Sequence, residues 1–328
     1  MARYLIKRTL LGVSVLFAVS VLSFLMFFAL PRDPVTGMCP KNCNAERLER
    51  VRTELGLNDP KLEQYANYMK GIFTGRDLGT AQGGHCDAPC LGYSYVNSEA
   101  VSDTFARVLP VTLSIVLPAA VLWLALGVGL GMVSALKRGS VLDRVSIGFS
   151  LTFASLQLYF VGAVLLLVFV YQLRVLPNPG YTSILDNPWQ WARGLVLAWV
   201  TLALLFSAIY ARLSRAQMLE TLSEDFIRTA RAKGLPERAV VVRHALRGAV
   251  VPVVTYVGIA FGTLLGGAVV TEVIFDWDGI GSALLTAIQA QDNPVVLGAA
   301  TWGVVVFVVV NLVVDVICGV LDPRTRLR

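Results

Sequence analysis

The stretch SEDFIRTARAKGLPERAVVVRHALRGAVVP, residues 223–252, decides how the rest of the chain is read. Ser223 is of the type that caps a helix N-terminus, its oxygen accepting from a backbone N–H with no partner inside the helix. Glu224 and Asp225 place negative charge in the first turn, and Arg231 and Lys233 place positive charge in the last, each complementing the helix dipole. Gly234 suits the left-handed residue that stops a helix. Pro236 suits the first turn of the next one, where a missing N–H costs little. The pattern predicts a compact helix of about three turns, a sharp corner and a second helix. That second helix carries Arg238, Arg243, His244 and Arg247 and runs into unbroken apolar sequence. Two readings fit: a basic amphipathic linker lying on a membrane surface, or a rigid knob that another protein grips.

Composition sets the surroundings. Of 328 residues 55% are hydrophobic and 15% charged, where a soluble domain averages about 25% charged. The apolar residues come in blocks long enough to cross a bilayer, which takes about 20 residues of helix. The expectation is an all-α polytopic membrane protein with six transmembrane helices. The net charge of +6 does not argue for nucleic acid, because Lys and Arg cluster in short loops beside the apolar blocks, as the positive-inside rule expects.

Residues 1–30 read as a basic N-terminus (Arg3, Lys7, Arg8) and a first span over 9–30. That run is longer than the apolar core of a secretion signal, and no small-residue cleavage site follows. Residues 31–107 form a long polar segment expected outside the cytoplasm, with amphipathic helices over 45–55 and 62–72. It holds four of the five cysteines. Cys39, Cys43, Cys86 and Cys90 are disulfide candidates in an oxidising compartment, with three connectivities open. Links between the two pairs would close a long loop and stabilise it by roughly 4 kcal/mol. A zinc site involving His85 is the rival reading. Cys318 reads as a small packed hydrophobe.

Residues 108–328 form a core of five further spans, including the loop 212–250. The second span, 108–136, contains Gly127-x-x-x-Gly131, a spacing that lets membrane helices approach closely. Lys137, Arg138 and Arg144 make the turn after it cytoplasmic. The third span, 145–173, holds Gln157 and Tyr159, which either pack against a neighbouring helix or line a translocation path. The fourth covers 194–210. The fifth, 250–270, repeats small residues at Gly258, Gly262 and Gly266, suited to internal packing or to a two-subunit pore. The loop 271–294 carries Glu272, Asp276, Asp278 and Asp292 without Lys or Arg, which puts it outside. Its segment 282–289 is too short to span and reads as a surface or re-entrant helix. A sixth span, 295–320, with Asp315 near its inner end, returns the chain to a basic cytoplasmic end.

The segment RTARAKGLPERAVVVRHALR resembles the EAA loop of ABC-importer permeases, in the form found in dipeptide, oligopeptide and nickel permeases. Gly234 matches the family's loop glycine and Ala230 one of its alanines. Arg228 stands where many importers have Glu, and His244 and Arg247 where they have Ile and Pro; peptide permeases share such departures. ELGLNDPKLEQYANYMKGIFTGRDLGTA, PVTLSIVLP, ALKRGSVLDR, TEVIFDWDGIGSALLTAIQAQDNPVV and the ending LDPRTRLR are also similar to that family. The resemblance covers nearly the whole chain and implies the B-type permease subunit of a multi-pass importer in the cell membrane, both termini cytoplasmic.

That family works with a second homologous permease, two ABC ATPases and an extracytoplasmic substrate-binding protein, in a lipid bilayer. The loop helix, 224–233, then acts as a coupling helix. Arg228, Arg231 and Lys233 are expected to make polar contact with the ATPase, and Phe226, Ile227 and Ala230 to seat in its groove, with Glu224 and Gly234 bounding the lever. No catalytic constellation, metal site or Walker loop occurs in this chain. ATP and Mg²⁺ are expected on the partner ATPases. Spans nearly free of charge argue against a proton- or sodium-driven carrier, the alternative from another class, together with a motor-less channel. A membrane anchor for the cysteine segment is a third reading. Peptide is expected as cargo ahead of nickel, because the membrane interior offers almost no metal ligands.

Overall fold

A computed structural model describes residues 2–28, 59–77, 85–94, 96–265 and 268–321. The expected helix 45–55, Cys39, Cys43, Gly266 and the ending 322–328 lie outside these residues. Eleven helices are described, in the order α1 Ala2–Phe28, α2 Lys61–Thr74, α3 Val101–Leu136, α4 Val141–Ser155, α5 Leu158–Leu166, α6 Pro188–Ser223, α7 Asp225–Ala232, α8 Glu237–Leu265, α9 Val269–Phe275, α10 Ile280–Gln289 and α11 Asn293–Leu321. Two small antiparallel hairpins, Arg76–Asp77 with His85–Cys86 and Tyr93–Ser94 with Glu99–Ala100, precede α3.

The axis of the bundle is the pair α3 and α6, each 36 residues long. Glycine makes their approach possible. A Cβ at Gly127 would lie 2.6 Å from the Tyr210 Cβ, and one at Gly131 2.5 Å from the Ala211 carbonyl oxygen. Around this seam Ile115, Trp123, Leu195, Leu202 and Tyr210 are buried with Phe275. Trp123 stacks on Phe206 with centroids 4.8 Å apart, and the Trp199 indole N–H donates to the Ser114 carbonyl at 2.9 Å.

A second seam joins α8 to α11. A Cβ at Gly258 would meet Val314 at 2.8 Å, and Gly262 faces Phe307. Those two glycines therefore pack against α11 inside this chain. Helix α1 also lies against α11, with an ion pair from Arg8 to Asp315 at 3.0 Å. Helix α2 packs Tyr68 beneath Phe24 of α1 and Leu297 of α11.

Among the described residues four helices are long and apolar enough to cross a membrane: Val101–Leu136, Pro188–Ser223, Glu237–Leu265 and Asn293–Val320. A fifth is counted if α4 and α5, with the π-helical turn Leu167–Gln172 that follows, are taken together. The expected continuous helix 145–173 is broken there. The two halves meet at 98°, with Leu156 and Gln157 both extended. Neither Pro nor Gly marks the break; the Ser155 hydroxyl turns back to the Leu151 carbonyl at 2.8 Å, and Gln157 starts the next helix by accepting from Val161 N–H at 3.2 Å.

Cys86 is bonded to Cys90, so the pairings that link these two to Cys39 and Cys43 do not occur. The bridge closes a short loop, stabilising by about 2 kcal/mol in the chain-entropy model rather than the larger value of a long closure. As disulfide sulfurs they are not thiolate ligands, and among the described residues no group of three His, Cys, Asp or Glu is placed to hold a metal ion.

Candidate functional site

The end of the bundle where α3 finishes at Leu136 carries the short helix α7. It is eight residues long, shorter than expected by a turn. Ser223 does not cap it. Ser223 is the last residue of α6, and its hydroxyl donates to the Glu220 carbonyl at 2.7 Å. The break falls one residue later at Glu224, whose extended backbone (φ −67°, ψ 148°) lets one helix stop and the next start at an angle. Asp225 supplies negative charge in the first turn of α7 and receives Arg228 Nη1 at 3.4 Å.

Burial separates the two faces of α7. Ile227 and Ala230, three residues apart and so on one side of the helix, are buried against Met218, Val240, Ala245, Ala249 and Ala135. Ile227 is 0% exposed. This corrects their expected place in a partner's groove: they are the root of the helix, anchored in this chain by roughly 1.5–3 kcal/mol for a full apolar side chain. Phe226, Arg228, Thr229, Arg231, Ala232 and Lys233 remain on the exposed side. Phe226, 43% exposed, is the large apolar side chain on that side.

The corner after α7 is closed by backbone. Gly234 N–H donates to the Arg231 carbonyl at 2.9 Å, and Leu235 N–H to the Ala230 carbonyl at 3.4 Å, the paired bonds of a Schellman stop. Gly234 sits at φ +75°, where side-chain-bearing residues are strained. Pro236 stands at the N-cap of α8, one position before the expected first turn, and its carbonyl accepts from Ala239 and Val240. Arg231 Nη2 and Nε reach Glu237 Oε1 and Oε2 at 2.6 and 3.1 Å. Arg231 is thus paired within its own chain while staying 44% exposed. Beyond the corner, a π-helical stretch Val240–Ala245 turns both of its end residues inward.

Next to α7 lies a polar joint that sequence reasoning passed over. Ser140 caps α4 by accepting from Asp143 N–H at 3.3 Å. The Asp143 carboxylate accepts from Arg215 Nε at 2.8 Å and Nη2 at 3.1 Å, from the Ser134 hydroxyl at 2.5 Å and from Gly139 N–H at 2.9 Å. Asp143 lies within ALKRGSVLDR, and Arg215 follows the expected fourth span, 72 residues further along the chain. The available cue was the Ser140-x-x-Asp143 spacing, a relative of the capping box.

At the opposite end Glu272 is fully buried. Its carboxylate accepts from the Thr112 hydroxyl at 2.7 Å and from Ser282 N–H at 2.8 Å, while Ile280 N–H donates to Thr112 at 3.0 Å. The group thereby neutralises the start of α10 and ties it to α3. Asp292 accepts from Ser94 at 2.5 Å. A cleft of about 360 Å³ lies alongside, lined by Glu99, Arg107, Asp278, Thr286 and Asp292 among others. In the sequence Glu272, Asp278 and Asp292 signal only that the loop 271–294 is acidic. Gln157 and Tyr159 sit together at the α4–α5 break, both exposed, and neither packs into the core of this chain.

A bundle of long apolar helices with a short polar helix rooted at one end is the architecture of a multi-pass membrane component. Residues 127–327 match the family model described as binding-protein-dependent transport system inner membrane component, and residues 1–116 match its N-terminal companion. The chain belongs to this family, the permease subunits of ABC importers, which are transport components rather than enzymes. A peptide transport system permease protein of Brucella abortus (strain 2308) is 36% identical over 326 residues, 99% of each chain. The glutathione transport system permease protein GsiC of Escherichia coli (strain K12) is 34% identical over 328 residues, 100% of each.

Proposed function

We propose that this chain is one of two permease subunits that form the translocation path of an ATP-driven importer for small peptides, glutathione-like tripeptides included. The cargo class is supported by the peptide and glutathione transporters that it resembles along their whole length. In this reading α1 and the bent α4–α5 pair join the four long apolar helices as six spans, with both termini in the cytoplasm. Residues 31–107 lie outside, where a substrate-binding protein delivers cargo, and residues 108–328 form the core. ATP and Mg²⁺ are held by two partner ATPases.

The observation that carries the proposal is the two-faced helix α7. A helix of eight residues has too few hydrogen bonds to persist alone in water. Here Ile227 and Ala230 root it, Gly234 stops it, and its other face is left to a partner. Such an element moves as a rigid lever. If the ATPase grips it differently in its two nucleotide states, that difference is what drives the permease between inward- and outward-open forms. The ion-coupled alternative needs ionisable groups deep in the spans; the ion pairs that involve the long helices, Arg215–Asp143, Arg8–Asp315 and Arg107–Glu99, sit toward helix ends and are already mutually satisfied.

Two measurements test this. The complex co-expressed with its ATPases, second permease and binding protein, reconstituted in vesicles, is offered labelled dipeptide, tripeptide, glutathione and nickel. Binding-protein-dependent uptake of a peptide is expected; uptake of nickel alone overturns the cargo, and uptake without ATP overturns the mechanism.

A further inference from the structure

We propose that Asp143 and Arg215 are positioning residues: together they form the joint through which movement of α7 reaches α3 and α4. The inference rests on the reading of α7 as the ATPase contact. Its starting point is what holds the beginning of α4. The buried residues of that helix are Asp143, Ser146 and Ser150, none of them apolar, while Val141, Leu142, Val145 and Leu151 are exposed. No apolar anchor therefore places the start of α4. Its carboxylate does.

The geometry is that of a fixed joint rather than a loose charge pair. The guanidinium of Arg215 meets both oxygens of Asp143, at 2.8 and 3.1 Å, a fork that fixes direction as well as distance. Ser134, at the end of α3, donates to the same carboxylate at 2.5 Å and accepts from Arg215 Nε at 2.9 Å. The Gly139 N–H from the α3–α4 turn supplies a further bond at 2.9 Å. Three segments thus converge on one carboxylate. The side chains are only 6% and 24% exposed, for Asp143 and Arg215, so salt and water screen the pair little.

Position gives the joint its role. Arg215 lies in α6, which continues unbroken to Ser223, and nine residues of helix put it roughly 14 Å from the hinge at Glu224. A displacement of α7 passes to α6 through that hinge and to α8 through the Gly234 corner. From α6 the joint at Arg215 is the polar connection onward to the end of α3 and the start of α4. Helix α4 then leads through its 98° bend into α5, so the whole bent pair is steered from Asp143.

The test uses the complete permease–ATPase complex in nanodiscs, compared without nucleotide and after vanadate trapping. Amide hydrogen exchange is followed over residues 134–155, and A232C on α7 is crosslinked to the ATPase as the control for docking. The variants are the double neutral D143N/R215Q, which leaves no orphaned charge, and R215K, which keeps the charge but loses the fork. In the unmodified joint the exchange over 134–155 is expected to differ between the two states. Both variants are expected to reduce that difference at least about threefold, with A232C crosslinking at its usual level. R215K keeps the test open where the double variant does not assemble. A full difference in either variant, with the crosslink intact, overturns the joint alone. Absence of the crosslink when the joint is intact overturns the docking reading, and the proposal falls with it.

Discussion

Arg231 holds Glu237 across the corner that Gly234 turns, with Nη2–Oε1 at 2.6 Å and Nε–Oε2 at 3.1 Å. One residue closes α7 and the other opens α8, so the pair sets the angle between the lever and the helix behind it. Arg231 is 44% and Glu237 59% exposed, and water screens such an exposed pair, so it adds little to stability. Glu237→Gln is therefore expected to leave the thermal midpoint of the complex nearly unchanged while raising hydrogen exchange across 231–239. A large fall in the midpoint would show that the pair is structural and not an angle-setter.

Gly234 has open space around the position a Cβ would take, and its φ of +75° is the constraint. Gly234→Val is expected to cost about 1–2 kcal/mol in the corner, whereas Gly234→Asn, a residue that visits this conformation, should cost less. Peptide uptake per ATP hydrolysed is the readout. Valine should lower it and asparagine preserve most of it; equal values for all three residues would refute the role of the corner.

The α3–α6 seam offers a control within one helix turn. At Gly129 a Cβ meets nothing within 4 Å, whereas at Gly131 it would press on backbone and on Ser214. Gly129→Ala is expected to be neutral or slightly stabilising, since alanine favours helix. Gly131→Ala is expected to destabilise by about 1–3 kcal/mol through overpacking. Detergent thermal melts of the two variants give the comparison, and equal melts would mean that the helices are not in this contact.

Much of this arrangement was legible in the sequence, for reasons that differ element by element. The corner at Gly234 was legible because a left-handed helix stop has a residue signature. The seam at Gly127 and Gly131 was legible because close helix approach needs small side chains at one spacing. Helices α2 and α10 showed in the 3.6-residue period of their apolar residues. The break at Gln157 was not legible, since neither Pro nor Gly stands there and the apolar run continues through it. Nor was the inward turn of Ile227 and Ala230. Both faces of α7 carry an apolar residue, and only the packing of Met218 and Val240 beneath it decides which face is the root. The Asp143–Arg215 joint escaped because its partners are 72 residues apart in sequence.

Asp292 gives a pH-dependent expectation at the other end of the bundle. Burial pushes its carboxyl above the usual value, and the hydrogen bond from Ser94 works in the opposite direction. A carboxyl whose folded value is raised favours the protonated form. The burial of Asp292 should then be most secure below the ordinary aspartate value of about 4 and be lost as pH rises through the folded one, although the Ser94 bond itself favours the ionised form. Local hydrogen exchange over 91–94 and 290–296 is expected to quicken across that range, and Asp292→Asn to remove the dependence. Identical profiles for the two proteins would contradict the buried carboxyl as the cause.

The most direct test of the account is a crosslink from Phe226→Cys to the ATPase in the assembled complex, taken through the nucleotide cycle. The account expects an adduct, with a yield that changes between the ATP-bound and nucleotide-free states. A cysteine at 226 that stays equally open to water-soluble maleimide in every state, and joins no ATPase in any of them, would contradict it.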